Sequence, residues 1–150
     1  MDNLITQILD IKTITLLIGG FFAFFQFSKQ LKFRRLQNLS LLLHKFSENE
    51  DFLELFIDLD ENNIEKIKQT KYKTKLAFLA LIEEVALYSE LSEVDKNYAR
   101  YMFQWHFYFV FQSDITKEAF WSNIGGLDEM KMGYWDKSRK LSSEFIPDRT

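Results

Sequence analysis

The sequence predicts an all-α protein: one N-terminal transmembrane helix continuing into a cytosolic helical bundle of about five helices. Three observations carry that expectation. Thr13–Ser28 (TITLLIGGFFAFFQFS) is uncharged and apolar around its whole circumference, and Lys29, Lys32, Arg34 and Arg35 follow it closely. Downstream, apolar residues recur at helical spacing in segment after segment, with no credible pair of strands. Interruptions are scarce, because the 150 residues include five glycines and a single proline, Pro147.

The chain divides into an extracytoplasmic or interfacial segment (1–12), the transmembrane helix (13–28) and a cytosolic helical domain (29–150). In the first segment Leu4, Ile5, Ile8 and Leu9 keep helical spacing, which fits an interfacial helix or the first turns of the span. The 16 uncharged residues of Thr13–Ser28 cover about 24 Å as helix, a little short of a hydrocarbon core of about 30 Å. Snorkelling by Lys12 brings Ile8, Leu9 and Ile11 into the span, and Leu31 and Phe33 extend its other end. A signal peptide fits poorly, since the start carries Asp2 and Asp10 and the far end is Phe-Phe-Gln-Phe rather than a small-residue cleavage site. A buried core helix fits poorly too, because a domain this small does not surround a helix on all sides. Basic residues crowd the C-terminal flank against Lys12 alone on the other, so the N-terminus is expected outside (in the periplasm, if the source is bacterial) and residues 29–150 in the cytosol.

Within the span, Thr15, Gly19 and Ala23 repeat every four residues, with Gly20 and Gln26 flanking them. Small residues let helix backbones approach, and a glutamine can hydrogen-bond across an interface, so this stripe is the candidate for self-association. Lys29, Lys32, Arg34 and Arg35 are the candidate lipid-headgroup contacts. No glycine or proline separates the span from the next segment, so the helix is expected to run on to about Phe46. Leu36, Leu39, Leu43 and Phe46 form its packing stripe.

Ser47 with Glu50 reads as a capping box for a short second helix bearing Phe52, Leu55, Phe56 and Leu59, closed by Asp60-Glu61-Asn62-Asn63. Charge is segregated here. Glu48, Glu50, Asp51, Glu54, Asp58, Asp60, Glu61 and Glu65 precede Lys66, Lys68, Lys71, Lys73 and Lys75 without mixing. Two solvated faces account for the pattern; a surface for an anionic lipid or phosphate-bearing ligand, with Lys71, Tyr72, Lys73 and Lys75 in contact, is the functional alternative. The spacing is unlike a phosphate-cradling glycine loop.

Lys75–Leu91 is a strongly apolar helix. Ser92 and Asp95 supply a cap for the next, Val94–Gln112, which is aromatic nearly all round and therefore central or engaged on its second face with another subunit. Its uncharged run, Tyr101–Ser113, is too short for a second span. Asp114 caps Ile115–Asn123, Gly125-Gly126 ends it, and Leu127, Met130, Tyr134, Leu141 and Phe145 mark a last helix that Gly133 can bend and Pro147 stops.

A net charge of −3 and a pI near 5.5 argue against a general nucleic-acid binder. The absence of cysteine removes both a disulfide framework and a thiol nucleophile. Glu83, Glu84 and His106 are the candidate buried ionisable group, its carboxylate expected to be satisfied by tyrosine hydroxyls or Arg100. Neither His44 nor His106 has a glutamate three residues before it, which a di-iron bundle requires, and hydrolase, P-loop and dinucleotide motifs are missing. No catalytic residue, metal or cofactor is expected.

The run Phe78-Leu79-Ala80-Leu81-Ile82-Glu83-Glu84-Val85-Ala86-Leu87, the stretch Val94–Phe111 with its Tyr-Met-Phe core, Phe120-Trp121 and Tyr134-Trp135 resemble a loose family of short bacterial proteins. These have one N-terminal membrane helix and a small cytosolic helical domain of unknown function. Some proteins of this build are anti-phage membrane effectors, so the resemblance implies a role in defence and brings no catalytic residues. The expectation is a membrane-anchored interaction or sensor protein acting as an oligomer, with the lipid bilayer and a cytosolic protein as partners. The alternatives are a passive adaptor that recruits a cytosolic enzyme and a receptor for a nucleotide second messenger.

Overall fold

The computed structural model describes residues 2–122, 124 and 135–146, with side chains from Thr13 onward, and these form seven helices and no strand. Helix α1, Asp2–Ser47, is 46 residues long, which corresponds to about 69 Å. It is followed by α2 (Glu50–Asp60), α3 (Ile64–Gln69), α4 (Tyr72–Glu90), α5 (Lys96–Phe111), α6 (Thr116–Trp121) and α7 (Asp136–Phe145). Among the described residues six helices therefore follow α1, one more than expected. The extra one is α3, whose six residues carry one buried apolar side chain, Ile67, and so leave no periodicity to read.

The apolar run continues into the domain without a break, and α1 is long and apolar enough to cross a membrane. Only its last turns enter the core: Leu39 and Leu42 are buried and Leu43 and Phe46 pack against them. The expected stripe moves accordingly. Leu42 joins it and Leu36 stays about half exposed, because the domain covers α1 only beyond that point.

Polar contacts give the direction of the next helices. Lys45 Nζ lies 2.7 Å from Glu84 Oε1, Arg34 Nε lies 3.2 Å from Glu93 Oε2, and Asn38 Nδ2 donates to the Glu93 carbonyl at 3.0 Å. Helix α4 thus runs antiparallel to α1, back toward the apolar end. Helix α5 returns, bringing His106 to Phe46 with ring centroids 4.6 Å apart.

The core is built from rings. Phe78, fully buried on α4, contacts Phe46, Phe52 and Phe120. Trp121 donates its indole N–H to the Val110 carbonyl at 2.9 Å, so a polar atom enters the core already paired. Helix α7 closes the far side, with Phe145 edge-on to Phe107.

Three caps differ from expectation. Asn49, not Ser47, accepts from Phe52 N (3.2 Å), because Ser47 still belongs to the last turn of α1 and donates to the His44 carbonyl. Asp95 caps α5 through Asn97 N and Tyr98 N, while Ser92 turns the chain at φ 57. At α6 the oxygen accepting from Thr116 N is Ser113 Oγ, and Asp114 is exposed. The glycine stop at Gly125-Gly126 and the positions Leu127, Met130, Gly133 and Tyr134 lie outside the described residues.

Phe78→Ala should cost on the order of 3–5 kcal/mol of stability, whereas exposed Tyr72→Ala should stay within about 0.5 kcal/mol. Chemical denaturation of the detergent-solubilised chain, followed by helical circular dichroism, measures both.

Candidate functional site

On the apolar part of α1, Thr15, Gly19, Gly20, Ala23 and Gln26 are all exposed, and a Cβ at Gly19 or Gly20 would meet nothing within 4 Å. Nothing in the chain's own packing requires those glycines. Projected at about 100° per residue, Thr15, Gly19, Ala23 and Gln26 lie on the side of α1 opposite Leu39, Leu42 and Phe46. The domain sits behind the stripe and leaves its face open.

The basic cluster is divided. Lys29 and Lys32 are exposed, with the Lys29 ammonium 4.8 Å above the Phe25 ring, and Arg35 is half-buried. Arg34 reaches Glu93 and so ties the α4–α5 corner to the end of the apolar run.

The candidate ligand contacts also separate. Tyr72 and Lys73 are exposed on the first turn of α4. Lys71 lines an open cleft of about 370 Å³ between α2, α3 and the start of α4. Lys75 is a correction: it is fully buried, its Nζ donates to the Ala119 carbonyl at 3.2 Å, and it stands 5.7 Å from the Phe120 ring centroid. Burial lowers its pKa to about 8. A side chain enclosed this way holds α6 against α4 and offers no surface to a ligand.

In the cleft, Lys66 takes the place expected of Lys75. Asp51, Glu54 and Asp58 share a face of α2 by their spacing and line one wall; Lys66 and Lys71 line the other. Asp58, almost fully buried, lies 3.6 Å from Lys66 Nζ. The acidic and basic runs thus meet across one groove. Its mixed lining sets three carboxylates against any purely anionic ligand.

Glu83, Glu84 and His106 do not form one ionisable group. Glu83 accepts from Ser138 N (3.2 Å) and from the Ser138 hydroxyl, serving as a cap for α7 contributed by another helix. Glu84 pairs with Lys45. Among the described residues, neither a tyrosine hydroxyl nor Arg100 is the partner of Glu83 or Glu84. Successive residues on a helix diverge by about 100°, which sends Glu83 toward α7 and Glu84 toward α1.

His106 stands apart from both. Its ring is stacked on Phe56 at 4.2 Å and enclosed by Phe46, Phe78 and Phe103, and neither Nδ1 nor Nε2 has a hydrogen-bond partner. Burial pushes its pKa down to about 4. Sequence reasoning noticed this histidine but missed its setting, because its aromatic neighbours come from four different helices.

One surface was only half legible. Tyr98, Tyr101, Met102 and Trp105 follow the i, i+3, i+4, i+7 spacing of one helix face, and all remain exposed, Tyr101 at 76%. Helix α5 therefore buries Ala99, Phe103, Phe107 and Val110 and presents a second, aromatic face.

Compared with protein-family models, curated proteins and solved structures, the chain matches none of them.

His106 makes the fold pH-sensitive with a defined sign. Its folded pKa lies below its unfolded value, so its contribution is fully present above pH 6.5 and is lost as pH falls toward about 4. The loss reaches on the order of 3 kcal/mol across that window. Melting the wild type and His106→Leu at stepwise lower pH should show a decline in the former that the latter lacks.

Proposed function

We propose that this is a single-pass membrane protein, N-terminus outside, whose cytosolic helical domain binds a protein partner and works as an oligomer. The observation that carries the reading is the continuity of α1: one helix holds both the apolar run and Leu39, Leu42 and Phe46 of the domain core. A domain joined this way moves with its anchor, as a sensor or effector requires. The open stripe at Thr15, Gly19, Gly20, Ala23 and Gln26 supports assembly within the bilayer. In its sharpest form the protein is an anti-phage effector of the bacterial inner membrane; that role rests on the resemblance of its apolar and aromatic pattern and on its architecture.

The adaptor reading is favoured by the α5 face. Tyr and Trp are the side chains that most often anchor protein interfaces, and here they stand exposed in a row. The nucleotide-receptor reading retains Lys71, now with Lys66, but faces the carboxylates of α2.

In detergent the wild type should migrate as an oligomer and Gly19→Leu with Ala23→Leu as a smaller species; equal migration refutes assembly through the stripe. Tyr101→Glu with Trp105→Glu should leave stability within about 1 kcal/mol, both sites being surface positions, and abolish capture of the cytosolic partner. An effector should depolarise cells on overproduction, as a potential-sensitive dye reports. An adaptor should be inert alone.

A further inference from the structure

From the depth at which Glu93 is held, we infer that the α4–α5 corner rests on the headgroup layer of the bilayer, a second membrane contact beside α1. The inference builds on the reading that α1 spans the membrane. Helix α4 descends along α1 in register: Glu84 meets Lys45, and further on Glu93 meets both Arg34 and Asn38. The corner, residues 91–95, therefore stands level with Arg34–Asn38.

That level can be placed against the membrane. The uncharged run falls short of the hydrocarbon thickness, so the inner boundary lies between Ser28 and Phe33. Arg34 is then roughly 1.5 to 9 Å beyond it along the helix. The headgroup layer on one side is about 5–7 Å deep, so the corner lies within or against it.

The side chains at this level suit that position. Leu91 is 60% exposed at the tip of the turn, and Tyr98, 56% exposed, lies on the first turn of α5. A leucine with no protein cover and a tyrosine with an apolar body and a polar end are what an interface accepts. The acids of the corner are already engaged: Glu90 with Lys137 at 2.7 Å, Glu93 with Arg34, and Asp95 with the backbone of α5. Lys137 holds the Glu90 carboxyl below its usual range. Lys29 and Lys32 on α1 and Arg100 on the second turn of α5 are exposed and positively charged, which suits anionic phospholipid. Higher on α5, Trp105 is adjacent in sequence to His106, which packs against Phe46, roughly 18 Å along α1 from Arg34 and beyond the headgroups. The rest of the aromatic face stays available to protein.

The chain has no cysteine, so single nitroxide labels can be placed by Leu91→Cys and Tyr98→Cys. Phe22→Cys serves as a mid-span reference and Glu118→Cys as an exposed reference on α6. All four positions are exposed in the chain, and unchanged circular dichroism verifies folding. In vesicles of phosphatidylethanolamine with phosphatidylglycerol, collision with an aqueous nickel chelate is measured against collision with oxygen. Labels at 91 and 98 should lose chelate access relative to 118, without reaching the oxygen-rich environment of 22, and should regain it when phosphatidylglycerol is replaced by phosphatidylcholine. Labels at 91 and 98 as open to chelate as 118, with 22 buried, overturn the corner contact alone. Chelate access at 22 overturns the spanning reading and the contact with it. Protection at 91 that persists in detergent with spin–spin broadening assigns the surface to a second copy and also overturns the proposal.

Discussion

The ring of Phe46 stands where four helices meet. It belongs to α1 and packs against Phe56 of α2, Phe78 of α4 and His106 of α5. The rest of the domain depends on this junction, because α1 offers it little else: Leu39, Leu42, Leu43 and Phe46 are the apolar side chains it contributes to the core. A single helix here changes character along its length. It is apolar all round through Thr13–Ser28, then apolar on one stripe once the domain begins. No proline follows the span and no glycine follows Gly20 within α1, so the usual sites for a sharp kink are missing between anchor and core. A tilt or rotation of the apolar half of α1 is therefore passed to the domain.

The polar groups drawn into this core are supported unevenly. Trp121 and Thr116 place their donors on carbonyls, and Glu83 caps α7. Lys75 sits on the Ala119 carbonyl and over the Phe120 ring, Asp58 lies at ion-pair distance from Lys66, and His106 has stacked rings around nitrogens that lack a hydrogen-bond partner. An imidazole buried without a hydrogen bond costs about 1–3 kcal/mol. Aromatic contacts on every side offset that cost, each worth about 0.5–1.5 kcal/mol beyond its area. The phenylalanine-rich composition thus has a structural use in the domain as well as in the apolar run: it surrounds a histidine whose ring nitrogens lack a hydrogen-bond partner.

The long elements were legible because their periodicity is local. Helices α1, α2, α4 and α5 each repeat an apolar residue every three or four positions, and that repeat needs no knowledge of the neighbours. What escaped was decided by tertiary contact. Ser47 has the sequence of a cap, but α1 keeps it in its own last turn. Ser92 takes a left-handed conformation, and the capping passes to Asp95. Lys75 ends a run of lysines that reads as solvated, and only the packing of α6 encloses it. The acidic face of α2 could be read from Asp51, Glu54 and Asp58; the lysine wall opposite could not, because the turn at Asn62, with φ 55, is what brings α3 across.

Two candidate interfaces now have a defined relation to one another. The small-residue stripe of the span lies on the side of α1 opposite its core-facing residues, while the aromatic face of α5 belongs to the domain packed on those residues. Chains assembling through Gly19 and Ala23 would sit back to back, with their domains outward and the α5 faces unobstructed. Occupation of one surface then neither blocks nor creates the other by contact. Coupling between a cytosolic partner and the bilayer assembly requires that the partner prefer one posture of the domain, and that this posture favour one packing of the stripe. The physical element able to carry such a preference is α1 between Phe33 and Leu39, which links the apolar run to the first core residue. The Arg34–Glu93 pair and the Asn38 hydrogen bonds stiffen that interval. Glu93 is therefore the point at which the domain's posture is set against its anchor.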